Sequence, residues 1–69
     1  SRETKVSLTV YNIAGRMVTQ LVNKIEESGL KEVIWNGTDG RGKKVASGVY
    51  FCKLDVAGYA QTQKITIVR

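Results

Sequence analysis

The chain has 69 residues, a formal net charge of +5, one cysteine and no histidine. A chain this short makes one small domain, burying roughly 60% of the surface its unfolded form exposes. The lone cysteine excludes an internal disulfide framework, and with histidine missing as well there is no ligand set for a structural zinc and no usual general base.

A hydrophobic fraction of 42% with 25% charged residues is that of an ordinary globular domain. No apolar run approaches the ~20 residues that span a membrane, and no basic-then-apolar segment opens the chain. The basic residues are scattered from Arg2 to Arg69 and cluster only at Arg41, Lys43 and Lys44. A solvated turn accounts for that cluster, and no nucleic-acid partner is expected, because clustering on one face matters more than net charge.

Ser1 to Thr4 reads as a polar lead-in. From Lys5 to Tyr11, Val6, Leu8 and Val10 alternate with polar residues, which predicts a half-buried strand. Asn12 to Arg16 reads as a turn in which Gly15 supplies a positive φ, and its shortness makes the next strand an antiparallel hairpin partner. That strand is Met17 to Val22. Val18 and Leu21 are both core candidates yet lie three apart, which needs either a bulge or a helical turn; six residues favour the strand. Asn23 to Gly29 reads as a loop with Ile25 tucked inward.

Leu30 to Trp35 is expected as a third strand, with Val33 and Trp35 on one face and Glu32, Ile34 and Asn36 on the other. Trp35, the only tryptophan, is expected at the centre of the core. Val45 and Ala46 suggest a short edge piece. Gly48 to Val56 is the longest apolar strand, with Tyr50, Cys52 and Leu54 on one face. Asp55 to Gly58 turns the chain, and Tyr59 to Arg69 is the last strand. Short strands separated by glycine-bearing turns, with no sustained helical period, predict an all-β sandwich or barrel over residues 1–69. Immunoglobulin-like sandwiches usually carry about seven strands. The first strand is therefore expected to be missing or supplied by another chain, leaving an open sheet edge through which copies can associate.

The stretch from Asn36 to Gly42 has too few oxygen ligands for calcium, and its basic neighbours would repel a cation. It also lacks the following helix and the Lys-Ser/Thr ending of a phosphate cradle. No metal and no cofactor is expected. Asn36-Gly37-Thr38 fits a glycosylation sequon, a pattern common by chance. Cys52 reads as a buried inert thiol, since no histidine exists to activate it. Tyr11 and Tyr59 are the aromatics left free to stack on a sugar or base.

The ordered pieces VSLTVYNIAGRMVTQLV (Val6 to Val22), VIWNGTDGRGKKVASGVYFCKL (Val33 to Leu54) and QTQKITIVR (Gln61 to Arg69) resemble the C-terminal sorting domains of bacterial type IX secretion cargo. They are similar as well to the immunoglobulin-like domain of flagellar hook-capping proteins, and these resemblances imply a small antiparallel immunoglobulin-like β-sandwich. The spacing of Gly15, Trp35, Gly37, Gly48 and Tyr50 carries the likeness and marks these as fold-defining residues.

The sorting resemblance implies a non-enzymatic address label at the C-terminus of a larger secreted protein. Such a label takes its upstream passenger through periplasm and outer membrane to the cell surface. Its partners are the translocon and a sortase-like peptidase, and the implied recognition segment is Lys64, Ile65, Thr66, Ile67, Val68 and Arg69. The hook-cap resemblance implies a structural, assembly or spacer module instead. The sorting family's opening Asn-Pro segment is absent here, and Asn36 stands where an Asp is common. The first departure implies a fragment of a longer chain.

Overall fold

The computed structural model describes residues 3–27 and 34–68. Its elements are β1 (Glu3–Asn12), β2 (Met17–Glu27), β3 (Gly48–Val56) and β4 (Tyr59–Ile67). They form one antiparallel sheet in the order β2-β1-β3-β4. Two hairpins, β1–β2 and β3–β4, therefore meet through β1 and β3, and β2 and β4 are the edges. The fold is all-β and antiparallel, as the alternation predicts. Among the described residues the strands make a single open sheet, consistent with a small immunoglobulin-like fragment, and a second layer of strands is not present there.

Alternation in β1 and β3 survives pairing because directly opposed residues share a face. Val6 opposes Val56, Leu8 opposes Leu54, and Val10 opposes Cys52. Ile65 and Ile67 join the same face from β4, opposite Tyr50 and Gly48. The other face carries Lys5, Ser7, Thr9, Lys53, Thr62 and Lys64, with Tyr11 against Phe51 as its aromatic pair. Gln20 of β2 donates to Ser7 Oγ at 3.3 Å and to Thr9 Oγ1 at 3.4 Å on this polar side.

The spacing of Val18 and Leu21 is resolved by bulges. The β1–β2 register jumps from Leu8 opposite Val22 to Thr9 opposite Gln20, skipping Leu21. It jumps again from Val10 opposite Thr19 to Tyr11 opposite Met17, skipping Val18. Each extra residue shifts the side-chain phase, so apolar residues three apart can both be half-buried in one strand.

Several expectations are corrected. Glu3 and Thr4 belong to β1 rather than to a lead-in. Asn23 to Glu27 continues β2 rather than looping, and Ile25 is 66% exposed rather than tucked inward. Continued pairing with β1 as far as Glu3 opposite Glu27 explains why: backbone hydrogen bonding to a neighbour outweighs the polar composition of the segment. Leu30 to Val33 lies outside the described residues; Ile34 and Trp35 are in no strand. Val45 and Ala46 are not a strand either: the short pairing forms one residue earlier, as an antiparallel bridge between Lys44 and Thr38. Trp35 is half-buried, and the fully buried side chain among the described residues is Val10, at the middle of the sheet.

Candidate functional site: the crossover clamp and the β4 edge

β2 and β3 flank β1 and run parallel to each other, so the connection between them is a crossover, of which residues 34–47 are described. The returning half of that crossover is held to the sheet by a small set of directed contacts. The Trp35 ring meets Tyr50 edge-on, with centroids 5.4 Å apart and planes at 70°. Trp35 Nε1 donates to the Thr38 carbonyl at 2.8 Å, and Tyr50 Oη donates to the Ala46 carbonyl at 2.7 Å. The polar ends of both rings thus bind the crossover backbone while their apolar bodies pack together, the arrangement these amphipathic side chains favour. Tyr50 is buried on the apolar face of β3.

Between these anchors the chain makes a tight turn at Asp39 to Lys43. Asp39 Oδ1 accepts the backbone N–H of Arg41 at 2.9 Å and of Lys43 at 3.0 Å. These donors, Lys43 first and Arg41 next, hold the carboxyl below its ordinary value of 3.8, helped by the cationic side chains of both residues. Gly40 donates its N–H to the Val18 carbonyl at 3.1 Å, so the turn docks on β2 where the strand bulges. Val45 donates to the Gly37 carbonyl at 2.9 Å and closes the loop.

Of the residues expected to define the fold, Trp35, Gly37 and Tyr50 come together in this clamp. Gly48 opens β3 just beyond it, with φ 155°. Gly15 lies in the neighbouring β1–β2 turn with φ 80°. Sequence reasoning missed Asp39 and Asn12. Their signal was available: an Asx residue, a glycine three positions on and a basic residue after it, in Asn12–Arg16 and in Asp39–Lys43 alike.

The expected recognition segment is split. Lys64 to Ile67 forms the end of β4, Val68 lies past the strand and is 85% exposed, and Arg69 lies outside the described residues. Within the segment Ile65 and Ile67 are half-buried, and Lys64 and Thr66 are exposed. Tyr11 and Tyr59 are not brought together: one lies on the polar face near the β1–β2 turn, the other on the apolar face at the opposite end, and Tyr59 is 61% exposed. Cys52 is half-buried rather than buried, and desolvation raises its thiol above the ordinary value of 9.0. The basic side chains of Arg41, Lys43 and Lys44 are exposed. Among the described residues no group of His, Cys, Asp or Glu is placed to hold a metal ion.

A family model described as the FlgD Ig-like domain matches residues 1–59. The chain belongs to this family. The match spans well over half of the sequence and takes in β1, β2, the crossover clamp and β3, ending where β4 begins. No curated protein and no solved structure matches the chain. This FlgD Ig-like domain is a pair of hairpins with a clamped crossover, and the edge strand β4 lies outside the matched span from Ala60 onward.

Proposed function

We propose that this FlgD Ig-like domain is a structural module of flagellar hook-capping type, working in assembly or as a spacer within a larger protein. The observation that carries the reading is the family match over residues 1–59. It favours this reading over the sorting signal that the sequence pieces also suggest. The module acts through its surfaces and not by catalysis. A sequence without histidine, with its single thiol held in the neutral form, supports that. Its setting is outside the cytoplasm, as part of a secreted or appendage-forming protein.

The sorting reading keeps support from the likeness of Gln61 to Arg69 to sorting-domain ends and from the edge position of β4. One experiment separates them. The domain is deleted from its parent protein, and export and assembly are measured separately. An assembly module leaves export intact and abolishes incorporation into the larger structure. Lost export, together with surface display of a reporter fused to the domain in a type IX-competent bacterium, would replace the assembly reading with the sorting one.

A further inference from the structure

The edges of the sheet are unlike. β2 is bulged at Val18 and Leu21, and the Asp39–Lys43 turn bonds to it through Gly40. Bulges and covering loops are the ordinary ways of keeping a sheet edge from pairing. Among the described residues β4 has none of these devices. Its register with β3 runs without interruption from Tyr59 to Ile67, it contains no proline, and Lys64 is its only charged residue.

The turn before β4 fixes which of its backbone groups are free. Ala57 and Gly58 both have positive φ, 49° and 82°, between the pair Val56–Tyr59. That is a two-residue hairpin turn of the primed type, whose flanking residues form a hydrogen-bonded pair. Hydrogen-bonded and non-hydrogen-bonded pairs alternate along the ladder. Tyr59, Gln61, Gln63, Ile65 and Ile67 therefore bond inward to β3, and Ala60, Thr62, Lys64 and Thr66 turn their N–H and C=O groups to the open edge.

We propose that β4 pairs antiparallel with β4 of a second copy of this chain, about a two-fold axis at Gln63, to make one continuous sheet. The outward groups are self-complementary in this register. Thr62 exchanges hydrogen bonds with Lys64 of the second copy, and Ala60 with Thr66. Tyr59 meets Ile67 of the second copy on the apolar face, which joins the apolar faces of both copies and covers an exposed tyrosine. Lys64 stands opposite a threonine and not its own equivalent. Across the axis Lys64 is a diagonal neighbour of the second copy's Lys64, about 7–8 Å away, with Lys53 nearby on the same face and Asp55 as that face's nearest carboxylate. Salt screens this repulsion, since the Debye length is about 8 Å at physiological ionic strength.

Sedimentation equilibrium of the 69-residue chain tests the pairing. The mass is expected to rise from one to two chains between micromolar and millimolar concentration, with tighter association in 0.5 M than in 0.05 M salt. Thr62→Pro removes an outward N–H without touching the β3 ladder and is expected to stay monomeric with an unchanged circular dichroism spectrum. A Gln63→Cys variant is made on a Cys52→Ala background, because Cys52 opposes Gln63 within the hairpin. It is expected to give a disulfide-linked dimer on mild oxidation, since a non-hydrogen-bonded pair sets Cα atoms about 4.5 Å apart. A monomer at every concentration overturns the proposal and leaves the edge to another occupant, such as a strand of a longer parent chain. A dimer that survives Thr62→Pro, or an uncrosslinked Gln63→Cys, overturns it in favour of a different interface.

Discussion

Asn12 and Asp39, 27 positions apart, make the same hydrogen bonds. Asn12 Oδ1 accepts from the N–H groups of Ala14 and Arg16 at 2.9 and 3.0 Å, as Asp39 Oδ1 does from Arg41 and Lys43. The Asn12 N–H reaches the Arg16 carbonyl at 2.9 Å, and the Asp39 N–H reaches the Lys43 carbonyl at 2.8 Å. Gly15 and Gly42 each return a 3.0 Å bond to the Asx carbonyl, with φ of 80° and 81°. One turn closes the β1–β2 hairpin and the other docks the crossover on β2, so a single local solution is used at both turns.

The left-handed glycines in these turns predict a specific cost. A Cβ at Gly15 or Gly42 meets no atom within 4 Å, so any penalty is one of backbone conformation and not of space. Gly15→Ala is expected to destabilise by about 1–2 kcal/mol. Gly15→Asn is expected to cost less, because asparagine tolerates this region. Asn12→Ala, which frees the N–H groups of Ala14 and Arg16, is expected to cost about 1 kcal/mol. Urea unfolding followed by the fluorescence of the single tryptophan measures all of these; a Gly15→Ala variant as stable as the parent would contradict the turn geometry.

Asp39 predicts an acid-sensitive turn. Its carboxyl titrates lower in the folded chain than its ordinary 3.8. The charged form is therefore favoured by folding, and its contribution is present in full above about pH 3.9, the unfolded value. It is lost as the pH falls through the lower folded value. The amide resonances of Arg41 and Lys43 are expected to titrate together with a midpoint below 3.8, and Asp39→Asn is expected to remove that titration while keeping the turn. A midpoint above 3.8 would show that the carboxylate does not hold these donors.

Ala57 sits at positive φ where glycine or asparagine is preferred. Ala57→Asn, giving an Asn-Gly turn, is expected to stabilise the chain by about 1 kcal/mol. The check is a rise in the urea midpoint with an unchanged slope. A fall would place the β3–β4 turn in another class and remove the assignment of the outward groups of β4.

The clamp is testable as a pair. Tyr50→Phe removes the hydrogen bond to Ala46, and Trp35→Phe removes the one to Thr38; each is expected to cost about 1 kcal/mol. A cycle built from Trp35→Leu and Tyr50→Leu is expected to show a coupling of about 0.5–1.5 kcal/mol from the edge-on ring contact. Additive effects would mean the rings anchor the crossover independently.

Cys52 is expected to be a slow thiol. Burial raises its pKa above 9.0, so little thiolate is present near neutral pH. Labelling by a disulfide reagent at pH 7.5 is expected to be slower in the folded chain than in 6 M urea. Equal rates would show that the thiol is not desolvated.

Local patterns determined much of this molecule. Val6, Leu8 and Val10 set the inward face of β1, Gly15 marked its turn, and the limits of β3 at Gly48 and Val56 could be read directly, because alternation and turn chemistry depend only on neighbouring residues. The tertiary structure alone decided the rest. Polar composition at Asn23 to Glu27 suggested a loop, yet β1 was long enough to pair with it. Val18 and Leu21 can both be half-buried in one strand because bulges reset the phase against β1. Trp35 read as the core's centre from its size, but it is only half-buried, its ring held by Tyr50 and by a carbonyl three residues away. Pairing, register and which edge is left open are long-range outcomes, fixed when distant segments compete for the same backbone hydrogen bonds. No single stretch of sequence contains that competition.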